Sequence, residues 1–104
     1  MSQAVIHGDT IYMSGQIAND PTADTAGQTR QVLAKIESLL ALTGSNKSKL
    51  LSASIWLSDI STFDQMNAVW EAWIDPENPP TRATVESKLA GPDLRVEIAM
   101  IAAR

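Results

Sequence analysis

The stretch Thr81–Ala102, TRATVESKLAGPDLRVEIAMIA, decides how this chain is read. It alternates twice, as two strands joined by a short loop. Arg82, Thr84 and Glu86 share one face of the first strand, and Arg95, Glu97 and Ala99 share one face of the second. Glu97 stands inside the apolar run Val96–Ile101. A lone carboxylate there needs a partner, because burying an unpaired charge costs on the order of several kcal/mol. If the two strands pair as a hairpin with an odd index sum, Arg82 and Glu97 become diagonal neighbours on one face. If the sum is even they lie on opposite faces, and a site within the hairpin fails. The loop Lys88–Asp93 permits the odd register without enforcing it. The expectation is a terminal hairpin whose Arg82 and Glu97 line a small polar pocket.

Working back from the hairpin, Asp75–Pro80 (DPENPP) is a rigid connector, since its three prolines fix φ and stop helix continuation. Ser61 or Thr62 is placed to cap a helix running to about Ile74, with Phe63, Met66, Val69, Trp70 and Trp73 as its apolar stripe. Asn67 lies at the edge of that stripe, where a side-chain amide ordinarily bonds to backbone. Leu50–Asp59 alternates as a strand: Leu51, Ala53, Ile55 and Leu57 form the dry side, and Ser52, Ser54, Trp56 and Ser58 the mixed side. A longer helix precedes it, from Asp24 or Thr25 to Thr43. Val32, Leu33, Ile36, Leu39 and Leu40 lie on its core face, Thr25 and Gln28 have capping-box spacing, and Gly44 is placed to end it. Gln3–His7 and Ile11–Ile17 read as a hairpin around Gly8-Asp9. Gly15 interrupts its second strand, which marks a bulge or a close approach to the backbone. The order is β-β-α-β-α-β-β in one domain over residues 1–104, an α+β mixed sheet with two helices packed on one face.

Composition removes most chemistries. The chain has 104 residues, 44% hydrophobic and 19% charged, with a net charge of -4. Its eight basic residues are scattered, whereas nucleic-acid affinity rests on Lys and Arg neutralising phosphates, so neither nucleic acid nor an anionic membrane is an expected partner. There is no cysteine and one histidine, which removes thiolate chemistry and leaves a transition-metal site without ligands. No dinucleotide or P-loop motif is present. The N-terminus lacks the pattern of a signal peptide, and no apolar run approaches the roughly 18 residues of a membrane helix; a cytoplasmic protein is expected. What remains is anion recognition by arginine and acid–base work by a carboxylate. An arginine fork that grips a carboxylate, with a glutamate that takes a proton from water, suits addition of water to a small carboxylate-bearing substrate. A plain Arg–Glu salt bridge is the other reading of the same two residues.

Five blocks in this order and spacing resemble the Rid (YjgF-type) family of reactive-intermediate deaminases: residues 2–17, 28–45, 53–73, PPTRATVE (79–86) and VEIAMIA (96–102). GSNKSKLL and MNAVWEAW are similar to a YoaB-like branch of it. The resemblance implies a chorismate-mutase-like fold and a homotrimer with sites in clefts between subunits. It further implies hydrolysis of 2-imino acids, such as 2-iminopropanoate and 2-iminobutanoate, to 2-keto acids and ammonia without a cofactor or metal. Matched position by position, Arg82 would bind the substrate carboxylate and Glu97 would orient or activate water. Gly15 would contact the ligand through its backbone, and Ser14 and Asn67 would line or support the site. Thr84 stands where many members carry a cysteine. The chain also departs from the pattern. Met1 occupies the position of a pocket tyrosine, so either residues precede it or the pocket is more open. Ala83 replaces a serine, and Ala99 replaces a second glutamate.

Overall fold

A computed structural model describes residues 1–104. The strands are β1 (Ala4–His7), β2 (Thr10–Met13), β3 (Leu50–Leu57), β4 (Thr81–Glu86) and β5 (Val96–Ala103); the helices are α1 (Thr25–Leu42) and α2 (Phe63–Trp73). The element order and the α+β class are those read from the sequence. The five strands form one mixed sheet in the order β1-β2-β5-β3-β4.

That order overturns the terminal hairpin. β4 pairs with β3, in parallel, and β5 lies between β2 and β3, antiparallel to both. The reason is the crossover: a helix between two strands carries the chain back to the starting end of the sheet, so β3-α2-β4 closes as a parallel unit. β5 takes the centre because every second residue on it is apolar. Val96, Ile98, Met100 and Ala102 are all buried against the helices. β4 buries no residue fully and is an edge strand.

Both helices pack on the face carrying Ala53, Ile55, Leu57 and the buried β5 residues, and this layer forms a single apolar core. α1 contributes Val32, Leu33, Ile36 and Leu40, and α2 contributes Met66 and Trp70. Asp24 caps α1, its carboxylate accepting from the Gly27 amide at 2.8 Å. Gln28 does not close a capping box. Fully buried, it donates to the carbonyls of Ala23 and Asp93 and accepts from the Arg95 amide at 2.9 Å. It thereby ties α1 to the loop that feeds β5. Gly8 and Gly44 both adopt positive φ, at 60° and 79°, at the hairpin turn and the end of α1. Leu51 breaks the expected alternation. The register shifts between Leu50 and Ser52, a β-bulge that buries Leu50 and leaves Leu51 exposed.

Two leucines on α1 test this packing. Leu40 is 1% exposed and Leu42 is 83% exposed. Leu40→Ala is expected to cost about 2–5 kcal/mol in chemical denaturation, and Leu42→Ala about 0.5 kcal/mol or less.

Candidate functional site

The sheet divides the six candidate residues into two groups. Arg82 sits opposite Ala53, which sits opposite Met100, so its row belongs to the helix-covered face. Glu97 sits opposite Trp56, which sits opposite Val85, and this row belongs to the open face. Arg82 and Glu97 therefore point to opposite sides of one sheet, with β3 between their strands. The shared pocket within one hairpin does not form, and neither does an Arg82–Glu97 salt bridge. The one ion pair in the chain joins Lys47 to Glu37 at 3.3 Å.

The first group is built around Arg82. From the edge strand its guanidinium reaches α2, where Nη1 donates to Asn67 Oδ1 at 2.7 Å. Asn67 follows the fully buried Met66, so its amide emerges where α2 meets the sheet edge. The guanidinium carbon lies 5.5 Å from the Phe63 ring centroid and 5.3 Å from that of Trp70, within cation–π range. The aromatic stripe of α2 is thus core on one side and a cradle for arginine on the other, a role its helical spacing does not reveal. The fork offers five N–H donors and Asn67 uses one, so bidentate capacity for a carboxylate is left over. Thr84 follows two residues on, on the same face. Its hydroxyl is buried and has no hydrogen-bond partner, a feature that favours a ligand able to reach it.

The second group surrounds Glu97. Beyond the end of β2, Gln16 bridges to Ile98 through two backbone bonds of 2.8 and 3.1 Å. This lays Gly15 alongside the Glu97 side chain. A Cβ on Gly15 would stand 2.9 Å from Glu97 Cδ, closer than real contacts allow, and 3.2 Å from Cγ, a tight contact. The glycine leaves the space that the Glu97 side chain occupies and is not needed for backbone conformation, so the close approach comes from Glu97. Ser14 belongs to a polar net beside it. The Gln16 amide donates to Ser14 Oγ and to the Ser14 carbonyl, each at 3.1 Å, and to Gln3 Oε1 at 3.0 Å. Gln3 and Gln16 carried no signal in the sequence, because isolated glutamines are common on surfaces. The Glu97 side chain is half-buried and its carboxylate accepts no hydrogen bond from the chain, so the run Val96–Ile101 hides only alternate residues.

The whole chain, residues 1–104, matches the family described as endoribonuclease L-PSP. A RutC family protein of Haemophilus influenzae is 45% identical over 103 residues, covering 98% of this chain and 89% of the relative. The RutC family protein YoaB of Escherichia coli is 41% identical over 102 residues, covering 98% and 89%. Among solved structures, a YjgF family protein of Neisseria meningitidis superposes with a TM-score of 0.95 at 41% identity, covering 100% of this chain and 87% of that one.

The Gly15 contact is testable without any substrate. The obstructing atoms belong to the far end of a flexible side chain. Gly15→Ala is therefore expected to keep the fold, with a cost of about 1 kcal/mol or less by thermal denaturation, and to turn the Glu97 carboxylate away in a crystal structure of the variant. A loss of about 3 kcal/mol would show instead that the carboxylate is fixed in place.

Proposed function

The chain belongs to the endoribonuclease L-PSP family, the YjgF/Rid group, and on that premise we propose that it hydrolyses reactive 2-imino acids to 2-keto acids and ammonia at sites completed between subunits. One observation carries this reading. Arg82 and Glu97 each stand in an organised half-site, on opposite faces of the same sheet. A second copy of the chain can bring the Arg82 group of one subunit to the Glu97 group of its neighbour. A homotrimer does this three times with one kind of interface.

In such a cleft the Arg82 fork takes the substrate carboxylate, held in direction by Asn67 and the two aromatic rings, with Thr84 two residues on along the same strand face. This leaves the imine carbon over Glu97. The carboxylate accepts a proton from water as the oxygen adds to C2, the C=N double bond becomes a C–N single bond, and Glu97 then returns that proton to the nitrogen. Loss of ammonia then breaks that bond while the new oxygen loses its proton and forms the keto group. Water supplies the oxygen and no electrons are transferred, so the reaction needs no cofactor. The substrate's positive iminium and negative carboxylate meet groups of opposite charge.

A second reading, a trimer that holds small carboxylates without turnover, draws on the Arg82–Thr84 half-site, which needs no acid or base to bind. Calorimetry with 2-oxobutanoate, run beside a deaminase assay, separates the two. An RNA-cleaving role, suggested by the family's description, is less favoured by a net charge of -4 on 104 residues.

Co-assembly of two inactive variants tests the division of the site. Arg82→Ala and Glu97→Ala should each reduce 2-iminopropanoate hydrolysis to the spontaneous rate. Random trimers refolded from equal amounts of both should recover about a quarter of wild-type activity, because each mixed trimer holds one intact site. A mixture as inactive as its parents would sink the shared-site reading.

A further inference from the structure

On the open face, the large apolar neighbour of Glu97 across the β3–β5 ladder is Trp56. The two are directly opposed across the β3–β5 ladder, so their Cβ atoms lie about 4.5–5.5 Å apart. Trp56 is half-buried and has neither a ring stacking on it nor a hydrogen bond from its indole. The Glu97 carboxylate leans the other way, over Gly15, where the Ser14–Gln16 net makes the surroundings polar. The adjoining row on the open face is small: Ser54 lies between Ala83 and Ala99. Glu97 is thus bordered by polar groups on the Gly15 side and by an aromatic wall flanked by small side chains on the β3 side.

Resting on the deaminase reading above, we propose that Trp56 determines specificity and receives the substrate side chain, so that the site prefers 2-imino acids with large apolar side chains, aromatic or branched, over 2-iminopropanoate. C2 of a 2-imino acid is planar and carries three groups. The carboxylate goes to Arg82 of the facing half-site, and the water is delivered from Glu97 through the plane. The side chain then lies along the sheet, and the apolar surface next to Glu97 in that direction is the indole of Trp56. Its neighbours Ala99 and Ser54 are small, so no bulky side chain of the adjoining row crowds the indole on that side. A planar ring laid against the indole gains dispersion and offset-stacking energy that a methyl group cannot.

The experiment is a side-chain series read in two ways. Imino acids made in situ by an amino acid oxidase from alanine, 2-aminobutyrate, leucine and phenylalanine give kcat/KM, each corrected for spontaneous hydrolysis. The matching keto acids give Kd by calorimetry. The expected result is a rise of about tenfold or more in kcat/KM, with a parallel fall in Kd, from the smallest to the largest member. Trp56→Ala should flatten that ratio to within about threefold, Trp56→Phe should keep most of it, and Ala99→Leu should lower it by filling the adjoining space. Turnover with no dependence on size, or a Trp56→Ala variant that lowers every member equally, overturns the proposal and leaves the deaminase reading intact. A size-dependent Kd that Trp56→Ala erases, in a protein with no turnover, upholds the role of Trp56 and removes the deaminase reading.

Discussion

The parallel pairing of β3 with β4 is the constraint from which the arrangement of this molecule follows. Once α2 carries the chain back across the sheet, β4 can add only at the outer side of β3, and the other side of β3 is left for β5. Arg82 then falls on the helix-covered face at the sheet edge, and Glu97 on the open face near the sheet centre. Glu97 cannot move without shifting β5, whose alternate residues fill the core, and Arg82 cannot move without breaking the pairing of β4 with the buried strand β3. The separation of the two charged groups is fixed by the same burial that holds the domain together.

Each group is prepared in a different way. Arg82 is held by contacts: a neutral amide at one nitrogen and two aromatic rings against the guanidinium carbon. None of these neutralises its charge, so its attraction for an anion is undiminished. Glu97 is held by the absence of a side chain at Gly15, and its oxygens are left free to accept a proton. One half-site is specified by what packs around it, the other by what is left out.

The elements themselves were legible in the sequence because their periodicities are strong. The α1 face of Val32, Leu33, Ile36 and Leu40 and the glycines at Gly8 and Gly44 behave as their spacing requires. Three features misled. Thr81–Ala102 has the local form of a hairpin, and alternation says which residues share a face but not which strand lies next door; the length of the β3-α2-β4 crossover carried that information. Leu51 fits the pattern of a buried residue until a bulge displaces it, and a bulge leaves no mark in composition. Gln28 had the spacing of a capping residue, yet its partners lie 65 and 67 residues away, at Asp93 and Arg95. The candidate residues could be named from their types and order. Their division between two faces could not, because it depends on strand neighbours that no local stretch encodes.

The centre strand is also the last element in chain order, and this bears on how the molecule is made. Until β5 is available, the hairpin β1-β2 and the pair β3-β4 share no strand pairing, and β2 and β3 each have an open edge. β2 meets β5 through contacts such as Ile11 with Ala102, which join nearly opposite ends of the chain. Such distant pairings demand a large loss of chain entropy before any return, and they slow folding. The sheet cannot close until β5 is in place, because β5 alone joins the β1–β2 hairpin to the β3–β4 pair. A nascent chain stalled short of Val96 would present both edges at once to any other β-strand nearby.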